Sequence, residues 1–164
     1  MKQKNDSQQK NKDTNIETVL SKTQSYCAYQ ERCKQEVKNK LLNYGLSSEN
    51  NEFIIKKLVE DNFINEKRYA ILFTNGKFRI KKWGKQKIKY ELKKKEIPAI
   101  YINEAISKID DTEYLKTLEY ILNKKQKTLK EHDKYKLKNK LVAYAISKGF
   151  EQELIWNILK KYHY

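Results

Sequence analysis

The chain has 164 residues, and its 36 Lys or Arg against 21 Asp or Glu leave a formal net charge of +15, which favours a polyanionic or acidic partner. Four Gly and one Pro are too few for the many tight turns of an all-β fold, so the composition predicts a mainly helical protein. The sequence lacks the roughly 18-residue apolar run of a membrane-spanning helix and the apolar stretch of a secretory signal. Cys27 and Cys33 have no matching histidines for a zinc site, and we expect two reduced thiols in a cytoplasmic protein without metal or cofactor.

Residues 1–16 are rich in Lys, Gln, Asn and Asp, and this composition predicts a disordered tail. Apolar residues then recur at helical spacing, and a pattern of apolar residues four and then five positions apart occurs three times. The three copies are Val37, Leu41 and Leu46; Ile88, Leu92 and Ile97; and Leu141, Ala145 and Phe150.

A longer helix precedes each copy of this pattern and a shorter helix follows it. The longer helices are predicted over 18–31, 65–80 and 112–130. Ser48 and Asp111 are candidate N-caps. Each group of three helices needs a neighbour to bury its apolar face. The fold class predicted is therefore all-α, an elongated array of three tandem three-helix repeats at 17–62, 63–109 and 110–164.

The basic charge is concentrated in two regions. Residues 76–95 contain ten Lys or Arg and one acid, and residues 124–140 contain eight Lys and two acids. So dense a cluster of like charges repels itself, which favours a binding role over a merely solvated face. Between α-helical segments of the first region, Trp83-Gly84 is predicted to end a helix, with Gly84 in the left-handed conformation. Trp83 either packs in the core or stacks on a partner.

Two further patterns bear on function. Arg68 is predicted to brace two helices by pairing with an acid such as Glu60 or Asp61. Gly-rich phosphate loops and the Gly-x-Ser-x-Gly elbow are missing from the sequence, and His132 and His163 are a poor basis for acid–base chemistry. We therefore expect a protein that is not an enzyme.

Three segments together resemble the RecX family of recombination regulators: Tyr26–Cys33, Phe63–Ala70 and Lys82–Ile88. The resemblance extends over about residues 17–162, and Glu96 stands where the family usually has a Gly at a helix end. It implies tandem three-helix repeats. It also implies a protein that binds the RecA–DNA filament and limits filament growth, ATP hydrolysis and strand exchange.

For that role we expect electrostatic docking by basic side chains, and a monomeric protein. The candidate residues are Arg79, Lys81, Lys82, Lys85 and Lys87, with Lys124, Lys125 and Lys127 as a second group. An alternative is a helical module that binds single- or double-stranded DNA directly and does not act through RecA. Membrane-surface association ranks below both, because the Lys-rich faces lack matching apolar faces free of core duties.

Overall fold

The computed structural model describes the backbone of residues 3–161 and the side chains of residues 16–161, and this part of the chain contains nine α-helices and no strand. The helices are α1 Gln3–Tyr29, α2 Lys34–Leu42, α3 Ser48–Glu60, α4 Glu66–Arg79, α5 Lys85–Lys94, α6 Ala99–Ser107, α7 Asp111–Thr128, α8 Lys134–Lys148 and α9 Gln152–Lys161. Helices α4–α6 and α7–α9 fall in the second and third predicted repeats, whereas α1 begins before the first predicted repeat at residue 17. The all-α prediction is confirmed.

Helix α1 begins at Gln3, so its backbone includes most of the segment 1–16 for which the composition predicts a disordered tail. Lys and Gln, which are frequent in this segment, are good helix formers. The side chains of residues 1–15 lie outside the described residues, and the disordered tail stays a prediction.

The chain divides into two compact units, Met1–Tyr69 and Ala70–Tyr164, called here the N-terminal and C-terminal units. In the N-terminal unit α1, α2 and α3 pack around a cluster of buried side chains: Val19, Cys27, Val37, Leu41, Ile54, Leu58 and Ile64. Cys27 and Cys33 are both free thiols. The finer repeat boundaries at 62/63 and 109/110 stay predictions.

Arg68 braces the N-terminal unit, although its partner differs from the predicted one. Its Nε donates to Glu31 at 2.5 Å, and its guanidinium also donates to the backbone oxygen of Asn62 at 3.0 Å. An acidic partner was predicted, but the examples Glu60 and Asp61 were wrong, because Glu31 lies 37 residues away in sequence, just after α1, and only the fold brings it to Arg68.

The C-terminal unit contains three neighbouring buried aromatic rings, of which Tyr114 and Phe150 are stacked and Phe78 is tilted against Tyr114. The ring centroid of Tyr114 lies 5.9 Å from that of Phe78 and 5.0 Å from that of Phe150. All three side chains are buried, and they come from α4, α7 and the link before α9. The unit therefore joins helices from the second and third predicted repeats in one core, which positions the basic segment described next. None of the described helices is long and apolar enough to cross a membrane.

Candidate partner-binding surface

The link between α4 and α5 carries the centre of the first basic region, and its turn is made by a lysine. Lys82 has a φ of 54°, in the left-handed region, and the Trp83 amide donates to the Lys77 carbonyl at 3.1 Å. The Lys82 amide also donates to the Phe78 carbonyl, four residues earlier, at 3.1 Å, and this bond is a common way to end a helix with a left-handed residue. The sequence assigned that conformation to Gly84, but Gly84 has a φ of −76° and is the N-cap of α5.

Gly84 is required by a close backbone approach instead. Its amide donates to the Lys148 carbonyl at 2.8 Å, and the Gln86 amide donates to the Gly149 carbonyl at 3.0 Å. A Cβ on Gly84 would overlap the backbone of Gly149 and Phe150. The start of α5 thus satisfies its free N–H groups with the free carbonyls at the end of α8, where the opposite ends of the two helix dipoles meet.

Two of the predicted binding lysines belong to this junction. Lys85 Nζ forms an ion pair with Asp111 at 2.7 Å and lies 4.6 Å from the centroid of the Tyr114 ring. The hydrogen bond and charge of Lys85 hold the pKa of Asp111 below its usual range. Lys87 Nζ donates to the Ser147 carbonyl at 3.0 Å, a third bond to the end of α8. These two lysines hold helices together in the structure.

Tyr114 extends the junction to the segment before α9. Its hydroxyl accepts from the Lys85 amide at 2.9 Å and donates to Glu151 at 2.7 Å. Burial, together with the bond to Glu151, raises the pKa of this phenol. The buried phenol therefore links α5, α7 and the α8–α9 corner, which gives the basic segment a rigid support.

Two aromatic rings of the C-terminal unit each have two lysine ammonium groups beside them. Lys77 and Lys87 lie 5.1 and 4.8 Å from the Trp83 centroid, and Lys125 and Lys148 lie 5.2 and 5.7 Å from the Tyr144 centroid. Such cation–π contacts restrain lysine side chains that would otherwise move freely in solvent. We call this set the lysine–aromatic row: Lys77, Trp83, Lys87, Tyr144, Lys148 and Lys125.

The row brings together residues that the sequence placed in separate groups. Lys87 reaches the carbonyl of Ser147, the neighbour of Lys148, and Lys148 shares the Tyr144 ring with Lys125. Sequence reasoning missed Lys77, Tyr144 and Lys148. Lys77 lies inside the first basic region and could have been chosen from the sequence. Tyr144 and Lys148 could be recognised only from the contact between α5 and α8.

The other predicted binding residues differ in how far their side chains are exposed to solvent. Arg79 and Lys81 are exposed and form no ion pair with another residue in the described part of the chain. Lys82 is half-buried and lines a surface pocket. On α7, Lys124 lies 5.9 Å from the Tyr120 ring centroid, and Lys127 is exposed. No group of three or more His, Cys, Asp or Glu side chains is placed to hold a metal ion among the described residues. The arrangement can therefore bind anionic groups by charge.

Two family models match this part of the chain. "RecX, second three-helix domain" matches residues 65–106, and "RecX, third three-helix domain" matches residues 111–159. The chain belongs to the RecX family. The resemblance seen in the sequence is thereby confirmed, and the two matched domains are α4–α6 and α7–α9.

Curated RecX relatives agree with this assignment. The "Regulatory protein RecX" of Bacillus cereus (strain B4264) is 28% identical over 131 residues, which are 80% of this chain and 48% of the relative. That of Bacillus cytotoxicus has the same identity and coverage. The chain thus spans about half the length of these curated relatives. The family is one of regulatory proteins.

Solved RecX structures share the fold. The crystal structure of RecX from Lactobacillus salivarius superposes with a TM-score of 0.78 at 24% identity, covering 90% of this chain and 96% of that one. A crystal structure of regulatory protein RecX gives a TM-score of 0.83 at 19% identity, covering 92% of this chain and 73% of that one. The three-helix repeat fold is therefore confirmed.

Proposed function

We propose that this protein binds the RecA–DNA filament and inhibits RecA ATP hydrolysis, filament growth and strand exchange, without catalysis of its own. Membership of the RecX family of regulatory proteins is the observation that carries the proposal. The proposal includes a cytoplasmic, monomeric protein, and RecA as the partner on which it acts.

The exposed basic side chains of the C-terminal unit support docking by charge. DNA contributes a dense array of phosphates, and lysine and arginine side chains that contact phosphates release condensed counterions. The contacts to Trp83 and Tyr144 hold four ammonium groups in place before binding. A restrained side chain loses less conformational entropy when it binds. The lysine–aromatic row is thus suited to an anionic partner, with Arg79 and Lys81 beside it in the sequence.

The experiment that tests the function is a titration of the cognate RecA ATPase on single-stranded DNA. The site variant is Arg79→Glu with Lys81→Glu, because these exposed side chains can change without disturbing the α5–α8 junction. The matched control is Lys22→Glu with Lys57→Glu, which reverses two exposed lysines of the N-terminal unit and changes the net charge equally.

We expect inhibition by the wild-type protein and by the control. The site variant should need about tenfold more protein for the same inhibition, which corresponds to about 1.4 kcal/mol of lost binding free energy. No inhibition by equimolar wild-type protein would refute the function. Equal loss in both variants would refute the site, because bulk charge and not position would then control binding.

A further inference from the structure

A pocket of about 270 Å³ lies between the α4–α5 link and α7 in the C-terminal unit. Its lining residues are Lys82, Glu113, Lys116, Thr117 and Tyr120. This volume is below the range of about 300–1,000 Å³ that encloses drug-sized ligands, so the pocket suits one small planar group of a larger ligand.

Positive charge dominates the surroundings of the pocket. Lys116, Tyr120 and Lys124 are spaced four residues apart along α7 and therefore share one face of that helix. With Lys82 from the facing link, three lysines oppose the single carboxylate of Glu113. An anionic ligand matches this charge.

Tyr120 supplies an aromatic surface at the centre of these lysines. Its side chain is 52% exposed, although burial of a large aromatic ring in a core would stabilise the fold. Lys124 Nζ lies 5.9 Å from the ring centroid, so a cation stands beside the ring. Exposed aromatic rings among basic side chains are the means by which proteins hold single-stranded nucleic acid, with bases stacked on the rings and phosphates near the cations.

Lys82 occupies its place in the pocket wall at a conformational cost. Its φ of 54° is unfavourable for a residue with a Cβ, and Gly149 takes the corresponding turn at the end of α8. A glycine would make the turn after α4 more easily, but it would remove an ammonium group from the pocket. Asn62 and Glu96 take the same conformation after α3 and α5, so it is a common helix end in this chain, and what distinguishes Lys82 is the ammonium group that it brings to the pocket wall.

We propose that this pocket binds one nucleotide of a single-stranded nucleic acid, with its base on Tyr120 and the flanking phosphates near Lys82, Lys116 and Lys124. The bases of a duplex are stacked on one another and cannot lie on the Tyr120 ring, so the pocket favours single strands. The proposal goes beyond action on RecA and does not depend on it.

The test is fluorescence anisotropy of the full-length chain with a labelled oligo(dT) of about 12 nucleotides and with a duplex of the same length. Both are measured at roughly 50 and 200 mM salt, because phosphate contacts weaken steeply with salt. The variants are Tyr120→Ala and the conservative Tyr120→Phe. Tyr135→Ala is the matched control, since Tyr135 is a tyrosine at the start of α8 that is 74% exposed.

Tyr120→Ala should weaken oligo(dT) binding by about five- to a hundredfold, the usual effect of losing one base–aromatic stack. Tyr120→Phe and Tyr135→Ala should stay within about twofold of the wild type, and Tyr120→Ala should leave duplex affinity unchanged. Failure of the wild type to bind oligo(dT), or equal losses in Tyr120→Ala and Tyr135→Ala, would overturn the proposal. Parallel losses for single strand and duplex would also do so.

The ATPase titration separates this proposal from the preceding one. If the wild type binds oligo(dT) through Tyr120 but does not inhibit RecA, the pocket stands and the regulatory function is refuted. If it inhibits RecA but shows no Tyr120-dependent binding of oligo(dT), the regulatory function stands and the pocket is refuted.

Discussion

Replacing Gly84 by alanine tests the junction that positions the basic surface. An added Cβ would lie 2.5 Å from the Phe150 nitrogen and nearer still to the Gly149 carbonyl, and these are backbone atoms that cannot rotate away. The start of α5 must then move from the end of α8. That movement would strain or break the hydrogen bonds from the Gly84 and Gln86 amides, now 2.8 and 3.0 Å long.

The size of the effect follows from these contacts. Overpacking costs about 1–3 kcal/mol, and each lost backbone hydrogen bond adds about 0.5–1.5 kcal/mol. Gly84→Ala should therefore lower the free energy of unfolding by about 2–6 kcal/mol, a large part of the roughly 5–15 kcal/mol that stabilises a typical domain. The backbone angles of Gly84, φ −76° and ψ 164°, are themselves accessible to alanine. Without the close approach the same substitution would stabilise the protein by about 0.4–1 kcal/mol.

Urea denaturation followed by circular dichroism measures this difference. Gly76→Ala is the control, because Gly76 lies inside α4 and a Cβ there would meet no atom within 4 Å. That control should gain about 0.5–1 kcal/mol, since alanine is the better helix former. Unfolding of Gly84→Ala at the wild-type urea concentration or a higher one would refute the close approach of α5 to α8.

Two further predictions concern single residues. Lys82→Gly should raise the free energy of unfolding by about 0.5–1 kcal/mol, because glycine tolerates the φ of 54°, and it should weaken oligo(dT) binding. The control Lys81→Gly, at a position without positive φ, should lower the free energy of unfolding. A lower free energy of unfolding for Lys82→Gly would contradict this reasoning. Burial raises the pKa of Cys27 from its ordinary value of 9.0 to about 11, so the folded protein holds this proton more tightly than the unfolded chain does. Stability from Cys27 is thus present below about pH 9 and is lost as the pH rises to about 11. Cys27→Ala should reduce the decline in urea midpoint over that range, and an unchanged decline would exclude Cys27 as a source of it.

The helical repeats were predictable because they depend on local patterns. The spacing of Ile88, Leu92 and Ile97 places all three side chains on the buried face of the second repeat, as the structure has them. The starts of α3, α4 and α7 were predicted to within one residue, whereas α1 begins at Gln3 and not at residue 18. Ser47 caps α3 in place of Ser48, and Asp110 caps α7 in place of Asp111.

The tertiary roles of basic residues were not predictable. A run of lysines does not reveal which ammonium groups bind within the protein, and Lys85 and Lys87 find partners 26 and 60 residues away along the chain. Gly84 was assigned a left-handed φ because glycine often ends a helix. The structure shows that a glycine is needed there because the backbone of Gly149 leaves no room for a Cβ. Contacts between residues so far apart in sequence depend on how the helices pack, which a local sequence pattern does not show.

Lysine footprinting of the protein with and without RecA filaments on single-stranded DNA tests the central claim most directly. The reagent is an acetylating agent, and mass spectrometry reads the modified lysines. The account predicts that Lys81, Lys82 and Lys148 of the C-terminal unit become protected by the filament, while exposed Lys22 and Lys57 react as in the free protein. Unchanged reactivity of Lys81, Lys82 and Lys148 in the filament-bound protein would contradict it.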